Sequence, residues 1–111
     1  RTLAHVALPQ SRPDQRARSG MHLYLLDIDF KKLTMQRGAF MQSLRDAGIG
    51  TQVHYIPVHR QPYHQRLLGC GDFEFPNAER HYQTTLSIPL FPSMSDAEVE
   101  YVAQQIIERL Q

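Results

Sequence analysis

The sequence predicts an α+β fold, a small sheet of about three strands with two long helices packed on one face. Three observations point there. Met21 to Phe30 alternates, with His22, Tyr24, Leu26, Ile28 and Phe30 on one mostly apolar face. Met21, Leu23, Leu25, Asp27 and Asp29 share the other face, which turns acidic at its end. Met35 to Ala47 and the stretch after Ser95 instead repeat apolar residues at spacings of three and four, the period of a helix with one buried face. Two short runs rich in β-branched and aromatic residues, Ile49 to Ile56 and Leu86 to Leu90, are closed by prolines that cannot donate to a ladder.

In chain order, Arg1 to Gly20 is a polar, arginine- and proline-bearing connector, expected to be solvent-exposed or disordered. Within it, Thr2 to Leu8 holds enough apolar residues for a short strand or a helix end. The domain itself is expected over residues 21–111. After the first strand, Lys31 to Met35 turns and Thr34 is the expected N-cap. In the helix that follows, Phe40, Leu44 and Ala47 align inward, while Gln36, Arg37, Gln42, Arg45 and Asp46 face water. Gly48 suits the left-handed position just past a helix end. Ile49 to Ile56 then reads as a buried strand, and Pro57 and Pro62 confine Val58 to Gln61 to a bend.

Tyr63 to Leu68 holds one or two helical turns, and Gly69-Cys70-Gly71-Asp72 is a loop that Phe73 and Phe75 plug onto the core. Pro76 to Thr84 is a helix with proline in its first turn, where a missing N–H leaves nothing unsatisfied. Leu86 to Leu90 is the third strand. Ser95 and Glu98 form a capping box for the last helix, whose face is Val99, Val102, Ala103, Ile106, Ile107 and Leu110.

Size and composition bound the function. A chain of 111 residues is one domain at most, able to bury ~65% of the surface its unfolded form exposes. Its 41% hydrophobic and 21% charged residues are ordinary for a soluble protein, and a net charge of +1 argues against a generic nucleic-acid surface. No apolar run approaches the ~18 residues of a membrane span. The lone Cys70 excludes an internal disulfide, fits a reducing, cytoplasmic setting and is given no role. The chain opens at Arg1 without a methionine or signal-like stretch, so a piece of a larger protein is expected.

Polar groups gather where the predicted second strand runs into its loop: His54, Tyr55, His59, Arg60 and, just beyond, Tyr63. A strand end holds the backbone while the loop exposes side chains, a frequent arrangement for a binding site. A His-Tyr pair can equally pack and satisfy its own hydrogen bonds. His54, His59 and His64 recur every five residues, which aligns no ligands on a helix, and HExxH and Cys-x-x-Cys are absent, so no metal site is expected. An independent binding or regulatory domain, and a nucleotide module built on the histidines, remain open from the residues alone.

One stretch carries a resemblance. Gly48-Ile-Gly-Thr-x-x-His54-Tyr-Ile-Pro-Val-His59-x-Gln-Pro-Tyr63, then Phe75-Pro76-x-Ala78-Glu79, then Leu86-Ser-Ile-Pro-Leu-Phe-Pro92, resembles the C-terminal part of the DegT/DnrJ/EryC1/StrS aminotransferases. The wording is most similar to enzymes that aminate a UDP-4-keto-6-deoxy-N-acetylhexosamine on the way to pseudaminic acid. The resemblance implies the small C-terminal domain of a fold-type-I enzyme that uses pyridoxal 5'-phosphate (PLP). It implies glutamate and a UDP-linked keto sugar as substrates and a homodimer with sites at its interface. The Schiff-base lysine, the acid on the pyridine nitrogen and the phosphate-binding groups of such enzymes lie in the large N-terminal domain. The only lysines here are Lys31 and Lys32, in a turn, and neither suits that role. No catalytic or cofactor-binding residue is therefore expected in this chain, which alone should be inactive. His54 is the expected substrate-lining residue, with Tyr55, His59, Arg60 and Tyr63 beside it.

Overall fold

The computed structural model describes residues 4–9, 20, 22–69 and 74–111. Expectations for the connector at 10–19, for the loop at Cys70 and for Phe73 lie outside them. Strand β1 is Val6–Ala7, β2 is Tyr24–Ile28 and β3 is Thr85–Ile88. Helix α1 is Arg37–Asp46, α2 is Pro62–Leu68, α3 is Pro76–Thr84 and α4 is Asp96–Arg109. The three strands form an antiparallel sheet in the order β1-β2-β3, with Leu26 opposite Leu86 and Val6 opposite Ile28. The architecture is α+β, as expected.

The core follows the sequence periods. Leu26 and Ile28 of β2 and Leu86 of β3 share a sheet face, and Phe40 and Leu44 of α1 and Val102 and Ile106 of α4 close over it. Phe40, Leu44, Ile28 and Leu86 are wholly buried. Burying each such side chain is worth roughly 1.5–3 kcal/mol. The two helices also touch each other. Arg109 donates from Nε to Ser43 Oγ at 2.9 Å and from Nη2 to the Ser43 carbonyl at 3.0 Å, and the Tyr101 hydroxyl donates to the Ala47 carbonyl at 3.0 Å. Beyond this contact an apolar groove of about 490 Å3 stays open between sheet and α4, lined among others by Val6, Tyr24, Ile88, Met94, Val99 and Ile107. Tyr24, which shares a strand face with Leu26, is therefore exposed, as is His22.

Two of the helix-end signals read from the sequence, Gly48 and the Ser95–Glu98 box, are present. Gly48 has φ +76°, its N–H bonds the Arg45 carbonyl at 2.9 Å, and the Ile49 N–H bonds the Leu44 carbonyl at 2.9 Å. That paired pattern ends α1 and drops Ile49 into the core. At α4 the Ser95 side chain accepts from the Glu98 N–H while the Glu98 carboxylate accepts from the Ser95 N–H. The Glu98 carboxyl is held below the usual range by these bonds, first that of the Ser95 backbone.

Four expectations are corrected. The N-cap of α1 is Gln36, without a side-chain cap bond, and not Thr34. Arg37 does not face water: its guanidinium reaches across to donate to the Tyr82 carbonyl and, at 3.4 Å, to the Thr85 carbonyl. A cation over the last carbonyls of α3 is favoured by the partial negative charge there. Phe75 does not plug the core but lies against the His59 ring, centroids 4.8 Å apart.

The largest correction concerns Ile49 to Ile56, which is not a strand. It contributes one antiparallel bridge, Gln52 opposite Ser87, with bonds of 3.1 and 2.8 Å. The reason lies in β3. In an antiparallel ladder the next bonded pairs would be Gly50 with residue 89 and His54 with residue 85. Residue 89 is Pro89, which has no N–H. The N–H of Thr85 already bonds the His81 carbonyl at the end of α3. Pairing therefore stops at one rung, and the chain leaves the sheet edge as a loop. The third strand is instead Val6–Ala7, on the other side of β2.

Candidate functional site

The loop that follows Gln52 meets the sheet at Ser87, whose side chain is on the face opposite the apolar core. On that face β3 turns Thr85 and Ser87 inward, both buried. His54 follows the single bridge, and its Nδ1 shares a hydrogen bond of 2.7 Å with the Ser87 hydroxyl. The Tyr55 ring meets the imidazole edge-on, with centroids 4.7 Å apart. His54 is half-buried, whereas Tyr55 is 75% exposed. Ser87 is the hydrogen-bond partner of His54 among the described residues, so the other ring nitrogen is open to a further group.

His59 and Arg60 turn the other way. They sit in a 3-10 turn, Val58–Arg60, and both reach Glu79 in the first turn of α3. His59 Nε2 lies 2.6 Å from Glu79 Oε1. Because the ionised carboxylate only accepts, that nitrogen carries the hydrogen. Arg60 donates from Nε to the same oxygen at 2.7 Å and from Nη2 to Oε2. His59 and Glu79 are both buried. The carboxyl of Glu79 is held below the usual glutamate range, chiefly by the hydrogen bond from Arg60 and then by that from His59, against a desolvation effect in the opposite sense. Aromatic rings flank the cluster: Phe75 lies on His59, and the guanidinium of Arg60 lies over Tyr82, 5.2 Å from its centroid. Arg37 approaches the same ring at 4.9 Å. Tyr63, the second residue of α2, is 64% exposed and meets His64 edge-on.

The five residues singled out from the sequence thus divide. His54, Tyr55 and Tyr63 present polar or aromatic surface outward, while His59 and Arg60 are tied to Glu79 beneath the loop. The histidines do not converge: among the described residues, no group of three or more His, Cys, Asp or Glu side chains could hold a metal ion. Lys31 and Lys32 are exposed, and Lys32 Nζ pairs with Asp29 at 3.2 Å, so the described lysines do not fit a Schiff-base site. Asp29 answers to that lysine, which holds its carboxyl below the usual range. Glu79 and Ser87 are the residues that reading the sequence left without a role. A glutamate in a first helical turn reads as a surface charge that the helix dipole favours. No local pattern connects it to Arg60, 19 residues earlier.

Fold and site together define a small α+β domain whose outer strand carries an imidazole-bearing loop. The DegT/DnrJ/EryC1/StrS aminotransferase family matches residues 1–107, and the chain belongs to that family. The spore coat polysaccharide biosynthesis protein SpsC of Bacillus subtilis (strain 168) is 46% identical over 90 residues, 80% of this chain and 23% of SpsC. The aminotransferase TlmJ from Streptoalloteichus hindustanus superposes with a TM-score of 0.77 at 27% identity, over 98% of this chain and 27% of TlmJ. Helicobacter pylori PseC, an aminotransferase involved in the biosynthesis of pseudoaminic acid, shares the fold with a TM-score of 0.76 at 21% identity, over 96% of this chain and 28% of PseC. The chain spans about a quarter of the length of these proteins. No helix among the described residues is long and apolar enough to cross a membrane.

Proposed function

We propose that the chain is the C-terminal small domain of a PLP-dependent sugar aminotransferase, residues 21–111 together with the strand Val6–Ala7 that the leading segment 1–20 adds to its sheet. The observation that carries this reading is the family match over residues 1–107. The amino group passes from glutamate to a UDP-linked 4-keto-6-deoxy-N-acetylhexosamine, as on the way to pseudaminic acid. The wording from His54 to Tyr63 supports that sugar. The 46% identity to a protein named for spore coat polysaccharide biosynthesis supports, more broadly, a sugar made for a cell-surface polymer.

PLP, when bound, supplies the electron sink of the reaction. The residues of this chain do not hold it; the lysine and phosphate-binding groups belong to the remainder of the polypeptide, and the chain by itself is catalytically silent. The enzyme works as a cytoplasmic homodimer. His54, Tyr55 and Tyr63 line the sugar nucleotide. A ring nitrogen of His54 hydrogen-bonds the substrate while Ser87 holds the other, which fixes the orientation of the ring. His59 and Arg60 shape this wall from beneath.

The test is amination of the UDP-keto sugar by the full-length enzyme. His54→Ala raises KM about tenfold, the loss of one hydrogen bond to substrate. An unchanged KM and rate removes His54 from the site. A full-length protein that binds no PLP removes the aminotransferase reading and leaves an independent binding or regulatory domain.

A further inference from the structure

The path of the loop that carries His54 is set at its two ends. At its start Gln52 exchanges both backbone bonds with Ser87. At its end the Val58–Arg60 turn closes through the Arg60 N–H to the Pro57 carbonyl at 2.9 Å and the Gln61 N–H to the Val58 carbonyl at 3.1 Å. Between these, no backbone hydrogen bond reaches Val53 to Ile56 among the described residues. Packing does not supply the missing constraint, because Tyr55, Ile56 and Val58 are 75%, 56% and 59% exposed. Apart from the 2.7 Å bond of His54 to the Ser87 hydroxyl, the direction in which His54 and Tyr55 point therefore depends on how firmly the second anchor is fixed to the body of the domain.

That anchor meets the body in polar bonds to one carboxylate, flanked by Phe75 on His59 and Tyr82 under Arg60. Glu79 accepts from His59 and Arg60, consecutive residues of the turn, and projects from α3, which runs without a break into β3. Ser87, the first anchor, is on that same β3. Both ends of the loop are thus referred to one continuous helix–strand unit. We propose that Glu79 is a positioning residue for the sugar-binding loop: by clamping His59 and Arg60 it holds the Val58–Arg60 turn on α3 and thereby aims His54 and Tyr55. This rests on the reading of His54 and Tyr55 as substrate-facing.

The chemistry picks out the informative variant. Glu79 receives N–H groups on both oxygens. Glu79→Gln keeps the volume but offers one acceptor oxygen and turns an NH2 toward a donor, so at least one partner is left unsatisfied. Glu79→Asp keeps both acceptors one methylene further back.

In the full-length enzyme, Glu79→Gln speeds amide exchange at Arg60 and Gln61 about tenfold, with the α4 amides unchanged. It raises KM for the keto sugar about tenfold while kcat stays within about threefold, and Glu79→Asp recovers part of that loss. The double variant His54→Ala, Glu79→Gln loses less than the two single losses combined, because part of the Glu79 effect acts through the His54 ring. Unaltered exchange at Arg60 and Gln61, or losses that simply add in the double variant, overturns the proposal. If His54→Ala leaves KM unchanged, the substrate-facing reading falls, and exchange at Arg60 and Gln61 alone decides whether Glu79 holds the turn.

Discussion

The two faces of β3 are built from different materials. One face places Leu86 against Leu26, Phe40 and Ile106 in a wholly apolar core. The other places Thr85 and Ser87, equally buried, under a loop whose fixed points are polar: Gln52 and His54 on Ser87, His59 and Arg60 on Glu79. Apolar packing is non-directional and tolerates small shifts, so it makes a stable body. Hydrogen bonds in a buried site hold only when each donor meets its acceptor, so they fix a conformation. The domain keeps stability on one side of a strand and side-chain aim on the other.

The largest expected effect tests the first side. Phe40→Ala, which empties a fully buried position beside Leu44 and Ile28, should cost about 3–5 kcal/mol in denaturant unfolding. A loss below about 1 kcal/mol would mean that the core collapses to fill the space and that the division between faces is weaker than drawn. The next effect tests the second side through pH. The folded-state value of Glu79 is depressed, so the stability it contributes is complete above the ~4.3 of an unfolded glutamate and is lost as pH falls through the folded value. The unfolding midpoint of the wild type should therefore fall more steeply below about pH 4.3 than that of Glu79→Gln. Parallel curves would separate Glu79 from the acid response.

A smaller change acts on neither face. Ser95→Ala removes the cap of α4 and should cost about 1 kcal/mol while, under the proposed function, leaving sugar binding unaltered. Another small stability effect has the opposite sign. Thr85 is 1% exposed and its hydroxyl finds no partner among the described residues, so Thr85→Val should be neutral or stabilising by up to about 1 kcal/mol. A clear loss would show that the hydroxyl does have a partner. Tyr55→Ala should leave stability within about 0.5 kcal/mol, because the side chain is exposed, yet under the proposed function weaken sugar binding by the full-length enzyme.

How much was legible differs between the same two sides. Phe40, Leu44, Val102 and Ile106 announce themselves by helical spacing, Leu26 and Ile28 by alternation, Ser95 with Glu98 by a three-residue offset, and Gly48 by the conformation it tolerates. The stretch from Ile49 to Ile56 has β-forming composition, and composition carries no information about whether a neighbour has free N–H groups to offer. Pro89 and the N–H of Thr85 withdraw those groups, and the second strand becomes a loop. The same limit hid Arg37, whose partner carbonyls lie 45 and 48 residues away.

The sequence by itself determined the α+β class, the buried positions of β2, α1 and α4, the end of α1 at Gly48, the start of α4 at Ser95 and the stretch that bears His54. Those properties follow from periods and offsets within a few residues of each other. Tertiary structure decided that Val6–Ala7 completes the sheet, that His59 and Arg60 turn inward, and that Glu79 receives them. Each of those outcomes is a match of a donor to an acceptor far off in the chain, and such a match exists only once folding has brought the two together.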